Sequence, residues 1–308
     1  MTAAETRKKS IKEGKRSRLL FYCLMMLIPT VQFVIFYLSV NFNSVLLAFK
    51  AYDKDGIVSY VGFQNFGNVI SDIFNKSAMK QAFFNSLILG FCTIIVGMSL
   101  ALTFSFYIYK KAPASGFFKV VLFLPQILSA IVMTTMFKYF VEAALPVLVE
   151  TIFKKQIPGL LYDINTQFPT IVVFSLWMGI GTQILMYSGA MSGISDSVTE
   201  AAKLDGASPF REFISITVPM IWPTLTSFIV VNLAQVFVNQ MNLFSFYGTM
   251  AEPKVQTLGY YLYAQMKGLN TTIRDYPYLS AFGLVLTAMT IPVTLVVKKL
   301  LDRAGNWI

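Results

Sequence analysis

The sequence predicts an all-α, polytopic membrane protein whose chain crosses the bilayer as six transmembrane helices. Of its 308 residues, 56% are hydrophobic and only 13% are charged, whereas about 25% of the residues of a typical soluble domain are charged. Six apolar segments are each close to the ~20 residues that a membrane helix needs. The two cysteines lie inside apolar segments, so no disulfide framework is predicted.

The N-terminal segment, residues 1–18, carries seven basic and two acidic residues. A cleaved signal peptide begins in a similar way, but the apolar run that follows is too long and has no small-residue cleavage site. We therefore expect a cytoplasmic basic tail followed by a retained membrane anchor. Residues 19–308 are expected to form one membrane domain.

The six apolar segments are predicted to be the spans. Three of them contain an internal proline, at Pro29, Pro125 and Pro292. Each predicts a simple kink, because neighbouring helices can satisfy the carbonyl group that proline frees. The spans are predicted at about residues 19–45, 82–109, 117–140, 169–191, 219–243 and 278–301.

Basic residues predict the orientation of these spans. With the N-terminus inside, the cytoplasmic segments carry 15 lysines and arginines and the outer segments carry nine, with Lys138 near an outer membrane edge. This asymmetry follows the positive-inside rule. Both termini and residues 192–218 are therefore expected in the cytoplasm. Three outer segments, 46–81, 141–168 and 244–277, are expected to lie along the outer membrane surface.

A polar island at residues 200–219 separates the fourth and fifth spans. Its apolar positions recur at helical spacing, and Gly206 lies between two such stretches, where the chain can turn without a steric penalty. We expect a helix, a glycine turn and a second helix outside the bilayer; an ordinary amphipathic loop is the alternative. The charged residues are Glu200, Lys203, Asp205, Arg211 and Glu212, and the apolar ones are Ala201, Leu204, Phe210, Phe213 and Ile214.

The order of residues in this island resembles the coupling motif of ABC importer permeases. Glu200-Ala201-Ala202 is followed after three residues by Gly206, and after nine more by Ile216, one residue and Val218-Pro219. Other stretches resemble binding-protein-dependent sugar permeases of the maltose-transporter type, so the resemblance covers roughly residues 20–305. These stretches are Val61–Phe66, Phe84–Leu87, Phe118–Pro125 and Trp177–Gly181; departures from the family pattern are Ser195, Val218 and Ala251-Glu252-Pro253.

The resemblance implies a type I ABC importer transmembrane-domain fold in the cell membrane of a prokaryote. In this family two permease subunits, usually different chains, pair with two cytosolic ATP-binding subunits and an extracytoplasmic solute-binding protein. The implied substrate is a sugar, in particular an oligosaccharide. The residues matched to ATPase coupling are Glu200, Ala201, Ala202, Asp205, Gly206 and Pro219.

The sequence offers no basis for several catalytic chemistries. It has no histidine, no Gly-x-x-x-x-Gly-Lys-Ser/Thr phosphate loop and no His-Glu-x-x-His or Gly-x-Ser-x-Gly motif. We therefore expect a non-enzymatic subunit without a metal site or cofactor, whose partner ATPases bind ATP. Spans two to six have essentially no ionisable residue at their centres, which favours a neutral solute. The net charge of +10 does not indicate nucleic acid, since many basic residues flank apolar runs.

Four amide side chains in the fifth span predict a polar path. Their spacings of three, four and three residues place them on one helix face. Amides suit sugar hydroxyls because they donate and accept hydrogen bonds, although they can equally bond neighbouring helices. The fourth span adds a further amide and two aromatic residues, and its tryptophan could stack on a sugar ring or pack in a core. The candidate path residues are Asn232, Gln235, Asn239 and Asn242 in the fifth span and Trp177, Gln183 and Tyr187 in the fourth.

Two alternatives to a sugar permease stay open at this stage. A permease of the same family could carry glycerol phosphate or another polar metabolite, but an anionic substrate favours a cation in the path, and the spans have no central lysine or arginine. A membrane scaffold could bind an ATPase without moving any solute. Measured solute uptake separates a transporter from a scaffold.

Overall fold

The computed structural model describes residues 3–53, 56, 58–269 and 271–305, with side chains from Arg18 onward. The chain divides into two compact units. One contains the residues up to Phe66 together with Ile273–Ala281, and the other contains Gly67–Thr272 with the residues from Phe282 onward. Every residue predicted to couple to an ATPase or to line a path lies in the second unit.

The described residues are mainly helical, which confirms the all-α class. Within the described ranges, five helices are long and apolar enough to cross a membrane, and one bent helix pair gives a sixth candidate span. The helix containing the first span begins at Ala3. The helices are α1 (span Arg18–Ala48), α2 (Gln64–Asn75), α3 (Ser77–Tyr109), α4 (Ser115–Ile127), α5 (Ala130–Phe153), α6 (Gln167–Ser192), α7 (Asp196–Leu204), α8 (Pro209–Met220), α9 (Trp222–Gln235), α10 (Leu243–Tyr247), α11 (Leu258–Lys267) and α12 (Tyr276–Gly305); the strands are β1 (Lys50–Tyr52) and β2 (Val58–Tyr60).

A short β-hairpin follows α1 in the first unit. β1 and β2 pair antiparallel, with Lys50 opposite Tyr60. Asn65 fixes the junction between α1 and the hairpin, since its side-chain amide donates to the carbonyl oxygens of Ala48 at 2.9 Å and of Lys50 at 2.8 Å. The outer segment 46–81 therefore contains a hairpin that the sequence analysis did not predict.

Four of the six predicted spans agree with single long helices. The first, second, fourth and sixth correspond to α1, α3, α6 and α12, and every end of their apolar spans lies within five residues of the prediction. The helix of the first span itself starts earlier, at Ala3. Pro29 and Pro292 lie inside continuous helices. Long apolar segments are therefore a sufficient signal for these four helices.

The predicted third span, 117–140, is wrong as a single helix. The chain leaves the helix at Leu128 and Ser129, both of which have extended backbones, so α4 ends there and α5 starts. Pro125 weakens this end of α4 because it has no N–H to donate to the preceding turn. α5 continues to Phe153, well into the segment that was expected to lie on the outer surface.

The predicted fifth span, 219–243, is also wrong as a straight helix. α8 and α9 meet at Ile221 with a bend of 74°, where Pro223 cannot donate a hydrogen bond to the preceding turn. α9 then ends at Gln235, and Met241 and Asn242 take positive φ values of 53° and 54°. Residues 236–242 form turns, and the helix cannot resume through Met241 and Asn242 because a left-handed residue cannot continue a right-handed helix.

Two apolar clusters of the second unit lie along α6. One gathers around Phe174, which is fully buried, and the other around Tyr187, which is also fully buried. Gly181 lies between them and lets α4 approach closely, because a Cβ added there would be 2.8 Å from the carbonyl oxygen of Leu122. α6 is therefore the central helix against which the functional elements pack.

Candidate functional site

Residues 196–220, which we call the coupling segment, begin with α7 and a glycine turn. The N–H of Gly206 donates to the carbonyl oxygen of Lys203 at 3.1 Å, and the N–H of Ala207 donates to that of Ala202 at 3.0 Å. These two bonds form a Schellman motif, whose turning residue takes a positive φ, and Gly206 has a φ of 71°. Nothing lies within 4 Å of a Cβ added at Gly206. Backbone conformation, and not lack of space, therefore explains the glycine.

The second helix of the coupling segment, α8, starts at a serine cap. Ser208 Oγ accepts a hydrogen bond from the N–H of Arg211 at 3.3 Å, and Pro209 takes the first helical position. Both residues are favourable at a helix N-terminus, where an N–H group would otherwise lack a partner. The segment therefore has the helix, glycine turn and helix that its sequence predicts.

The surface of the coupling segment combines charge with exposed apolar side chains. Leu204 and Phe210, on either side of the glycine turn, are 89% and 76% exposed. Large apolar side chains that are rimmed by polar residues mark interaction surfaces, so this surface suits a protein partner. Of the predicted coupling residues, Glu200, Ala201, Asp205 and Gly206 are exposed, whereas Ala202 is buried and Pro219 is half-buried.

An ion pair that the sequence analysis missed fastens the coupling segment to α3. Glu212 is only 4% exposed, and its carboxylate pairs with the ammonium group of Lys110 just beyond the end of α3. The rings of Phe213 and Phe106 pack on each other beside this pair, with their centroids 4.9 Å apart. A buried carboxylate needs such a partner because desolvation disfavours its charge. In the sequence, the available sign of a buried acidic residue is that Glu212 directly precedes an apolar run.

A second contact joins the α8–α9 bend to the end of α12. The indole N–H of Trp222 donates to the carbonyl oxygen of Leu301 at 3.2 Å. Gly305 permits this approach, since a Cβ added there would be 2.8 Å from the Trp222 ring. The coupling segment is thus tied to one span at Lys110 and to another at Trp222.

α6 and α9 pack against each other and are antiparallel. Tyr187 and Phe228 meet edge to face at 5.1 Å, and towards the other end Ser175 Oγ donates to the carbonyl oxygen of Met241 at 3.3 Å. Gln183 lies one turn from Tyr187 along α6, and Asn232 lies one turn from Phe228 along α9, about 6 Å in each case. The two amides therefore occupy the same level of the helix pair.

These side chains carry buried polar atoms that have no partner within the part of the chain that is described. There, such atoms are Gln183 Oε1, the phenolic oxygen of Tyr187, Asn232 Nδ2 and Thr294 Oγ1. Three of the four belong to residues predicted to line a path. Buried polar groups are normally hydrogen-bonded, so Gln183, Tyr187 and Asn232, which we call the polar layer, are suited to a partner from outside the chain.

The four predicted amides do not share one helix face, because α9 ends at Gln235. Gln235 is exposed at this end and Asn242 lies in the following turn. Asn239 instead supports the turn: its Oδ1 accepts from the N–H of Met241 at 2.9 Å, and its main-chain oxygen accepts from Thr257 Oγ1 at 2.7 Å. Only Asn232 and Gln235 remain on the helix, and the prediction of one continuous amide stripe is wrong.

Trp177 lies in the aromatic cluster around Phe174, six residues before Gln183 on α6. Its ring centroid is 6.3 Å from that of Phe174 and 6.5 Å from that of Phe137. These contacts agree with the alternative that Trp177 packs in a core. Trp177 is half-buried, so only part of its side chain is accessible to a ligand. Within the described ranges, no three cysteine, aspartate or glutamate side chains come together as a possible metal site.

The model of one protein family matches most of the chain. The family described as binding-protein-dependent transport system inner membrane component matches residues 93–304, a range that contains the coupling segment, the polar layer and the two contacts that fasten the segment.

Several curated relatives share between 24% and 31% of their aligned residues with the chain. A probable ABC transporter permease protein of Mycoplasma pneumoniae is 31% identical over 53% of this chain and 50% of the relative, so the chain spans about half the length of that protein. The sn-glycerol-3-phosphate transport system permease protein of Pectobacterium atrosepticum is 25% identical over 83% of this chain and 85% of its own. The arabinooligosaccharides transport system permease protein of Bacillus subtilis is 24% identical over 88% and 85%.

A solved structure has the same fold. A chain of a bacterial alginate ABC transporter, in complex with an alginate pentasaccharide-bound periplasmic protein, superposes with a TM-score of 0.76 at 19% identity, over 96% of this chain and 97% of that one.

Proposed function

Because this chain belongs to the family of binding-protein-dependent transport system inner membrane components, we propose that it is the permease subunit of an ATP-driven importer of a neutral sugar, in particular an oligosaccharide. One observation carries the proposal. The exposed coupling segment and the polar layer lie on one continuous stretch of chain, since α8 passes through the bend at Ile221 directly into α9, which holds Asn232. A displacement of the coupling segment can therefore reach the polar layer.

In this proposal the coupling segment receives the motion of a cytosolic ATPase. The exposed side chains of Leu204 and Phe210 dock into the partner, and the helix pair around Gly206 moves with it as a rigid body. The Lys110–Glu212 ion pair and the hydrogen bond of Trp222 with Leu301 transmit the movement to α3 and α12. The opening of the polar layer would then alternate between the two sides of the membrane.

The chemistry of the polar layer favours a neutral, hydroxyl-rich solute. Gln183 and Asn232 offer an acceptor and a donor, and neither α6 nor α9 contains a charged residue. Sugar hydroxyls can satisfy both kinds of group. The relative that transports arabinooligosaccharides supports this choice; the relative named for glycerol 3-phosphate keeps an anionic metabolite as the second candidate.

The partners belong to the same proposal. The chain would pair with a second permease subunit, two cytosolic ATP-binding subunits and an extracytoplasmic sugar-binding protein, with both of its own termini in the cytoplasm. The alginate transporter that shares its fold is in complex with a periplasmic protein, which supports the last partner. ATP would be bound by the ATPase subunits alone.

Uptake by the complete complex in proteoliposomes tests the function. Maltotriose, arabinotriose and glycerol 3-phosphate are suitable probes, each with ATP inside the vesicles and the binding protein outside. We expect ATP-dependent uptake of a neutral sugar. Uptake of glycerol 3-phosphate alone would favour the second candidate, and an ATPase-bound complex that moves no probe would favour the scaffold.

Replacing Glu200 with arginine should detach or uncouple the ATPase. Glu200 is exposed on α7, so a charge reversal there should leave the fold intact while opposing a docking surface that accommodates a carboxylate. Co-purification of the ATPase and sugar-stimulated ATP hydrolysis should both fall. Glu252→Arg, at an exposed acidic residue in a predicted outer segment, is the control; unchanged values for Glu200→Arg in both assays rule out a docking role.

Replacing Asn232 with leucine should lower sugar uptake without lowering thermal stability. Its Nδ2 has no hydrogen-bond partner within the described chain, so no intramolecular bond is lost and leucine is favourable in an apolar surrounding. Asn239→Leu is the matched comparison, because it removes the bond to the N–H of Met241 and should lower stability by about 0.6 kcal/mol. Lower stability of Asn232→Leu with unaltered uptake kinetics would contradict the path role.

A further inference from the structure

A cavity of about 560 Å³ lies between α5 and α10, apart from the polar layer. Its volume is within the ~300–1,000 Å³ that is typical of ligand sites. The wall on α5 carries Thr135, Lys138 and Glu142, and the opposite side carries Ser245 and Phe246. By the predicted orientation, the cavity opens on the extracytoplasmic side.

Two charged side chains of the wall have no ion-pair partner among the described residues. Lys138 and Glu142 are four residues apart, a spacing at which opposite charges normally meet on an α-helix. Here residues Phe140–Ala144 form a π-turn, which adds a residue to the turn and disrupts that alignment. Lys138 and Glu142 are both half-buried and line the same cavity, so each is available to a ligand.

The rim and the floor complete a site with mixed chemistry. Tyr139 and Tyr162 are 72% and 77% exposed at the rim, where aromatic faces can pack against a sugar ring. Ser245 adds a hydroxyl group, which both donates and accepts. One cation and one anion offset each other, so the site is suited to a hydroxyl-rich neutral ligand more than to an anion.

The walls of the cavity are held by close packing. Phe246 in the floor is 7% exposed, and its ring packs edge to face on Phe174 at 5.0 Å. Behind the wall, a Cβ added at Gly159 would be 3.2 Å from Glu142 Cα, so the chain after α5 lies directly against the π-turn. Phe174 is nine residues from Gln183 on α6, about 13 Å along the helix. The floor of the cavity therefore contacts α6 at a point about 13 Å along the helix from Gln183.

We propose that this cavity is an entrance subsite that binds the neutral carbohydrate before it reaches the polar layer. The inference rests on the proposed function and adds a second binding position to it. Lys138 donates to sugar hydroxyls, Glu142 accepts from them, and the rim tyrosines pack on the ring. The subsite thus receives a solute released by the external binding protein.

Uptake by variants of the complete complex tests the subsite. Lys138→Gln and Glu142→Gln should each lower maltotriose or arabinotriose uptake about 10-fold, as expected for the loss of a hydrogen bond to a charged group. Lys155→Gln and Glu150→Gln, at exposed positions that do not line the cavity, should stay within about twofold of the parent. Assembly with the partner subunits is measured on the same preparations.

Three outcomes would overturn the proposal. In the first, Lys138→Gln and Glu142→Gln take up sugar as well as the controls do. In the second, uptake falls only as far as assembly of the complex falls. In the third, only Lys138→Gln loses uptake, and the probe whose uptake it loses is glycerol 3-phosphate. A parent complex that takes up no sugar contradicts the proposed function itself, whereas normal sugar uptake by both variants contradicts the subsite alone.

Thiol labelling gives an independent measurement. In a background with Cys23 and Cys92 replaced, Tyr162→Cys places a thiol at the exposed rim. A saturating concentration of the transported sugar, with its binding protein and ATP, should slow maleimide labelling at position 162 and leave labelling of a Lys155→Cys control unchanged. Equal labelling of position 162 with and without sugar would overturn the subsite.

Discussion

Replacing Gly206 with proline is expected to reduce uptake to background while membrane insertion is unaffected. Gly206 has a φ of 71°, and proline is confined to about −65°. Proline also lacks the N–H that bonds to the carbonyl oxygen of Lys203. It disfavours the backbone of the preceding Asp205 as well, whose ψ of 3° lies far from the extended values that a residue before proline prefers. The turn would therefore open, and α7 and α8 would lose the relative position that the coupling segment requires. Uptake and the membrane-inserted fraction are measured together.

Two milder substitutions at Gly206 make this prediction quantitative. Asparagine tolerates the left-handed conformation, so Gly206→Asn should transport at nearly the parental rate. Alanine in this conformation costs about 1–2 kcal/mol, so Gly206→Ala should be intermediate; nothing lies within 4 Å of its added Cβ. Parental transport by Gly206→Pro, or equal defects in all three variants, contradicts the importance of the turn.

Replacing Glu212 with alanine is expected to destabilise the protein and to uncouple ATP hydrolysis from uptake. Breaking a buried ion pair costs about 3–5 kcal/mol because one charge stays buried without a partner. The loss should be at or below the lower end of this range, because the Lys110 side chain is 26% exposed and can reach water. Thermal stability and uptake per ATP hydrolysed are the two measurements.

A double-mutant cycle separates this ion pair from simple loss of packing. Lys110→Met combined with Glu212→Leu should recover most of the stability, since an apolar pair of similar volume replaces a buried ion pair at little cost. The exposed pair of Lys76 with Asp72, at 2.8 Å, is the control, and Lys76→Ala should cost only about 0.3–0.5 kcal/mol. Additive losses at Lys110 and Glu212 would show that the pair does not act as a unit.

The features that sequence predicted well are those set by local backbone chemistry and by long apolar segments. Four spans follow from their length and composition alone. A turn between two amphipathic stretches favours glycine, which predicts the turn at Gly206, and the structure adds the Schellman bonds. The serine and proline that begin α8 act through the same local rules.

The features that sequence missed depend on contacts between distant segments or on changes of helix direction. The apolar pattern continues through Leu128 and Ile221, so it gives no sign that the helices break there. The spacing of Asn239 predicts a place on the helix face, but the helix ends at Gln235 and the Asn239 side chain bonds within the turn. The pairing of Lys110 with Glu212 joins residues 102 positions apart, which periodicity cannot reveal.

The polar layer shows how the two kinds of information complement each other. The chemistry of Gln183, Tyr187 and Asn232 predicts a role in the path, and the structure adds that each has a buried polar atom without a partner among the described residues. Among the described residues, Asn232 Nδ2 makes no hydrogen bond that would support interhelical bonding, the alternative for this residue. A ligand, water or the second permease subunit would have to satisfy these atoms.

Labelling of a thiol at position 232, with and without nucleotide, tests most directly whether the coupling segment controls access to the polar layer. Asn232→Cys is introduced where Cys23 and Cys92 have been replaced, and a membrane-impermeant maleimide is applied to either side of the reconstituted complex. Without nucleotide, labelling is expected from the cytoplasmic side only. With a non-hydrolysable ATP analogue and the loaded binding protein, labelling should come from the outer side only, and Gly206→Pro should abolish this change. Labelling from the same side in both states would contradict the account.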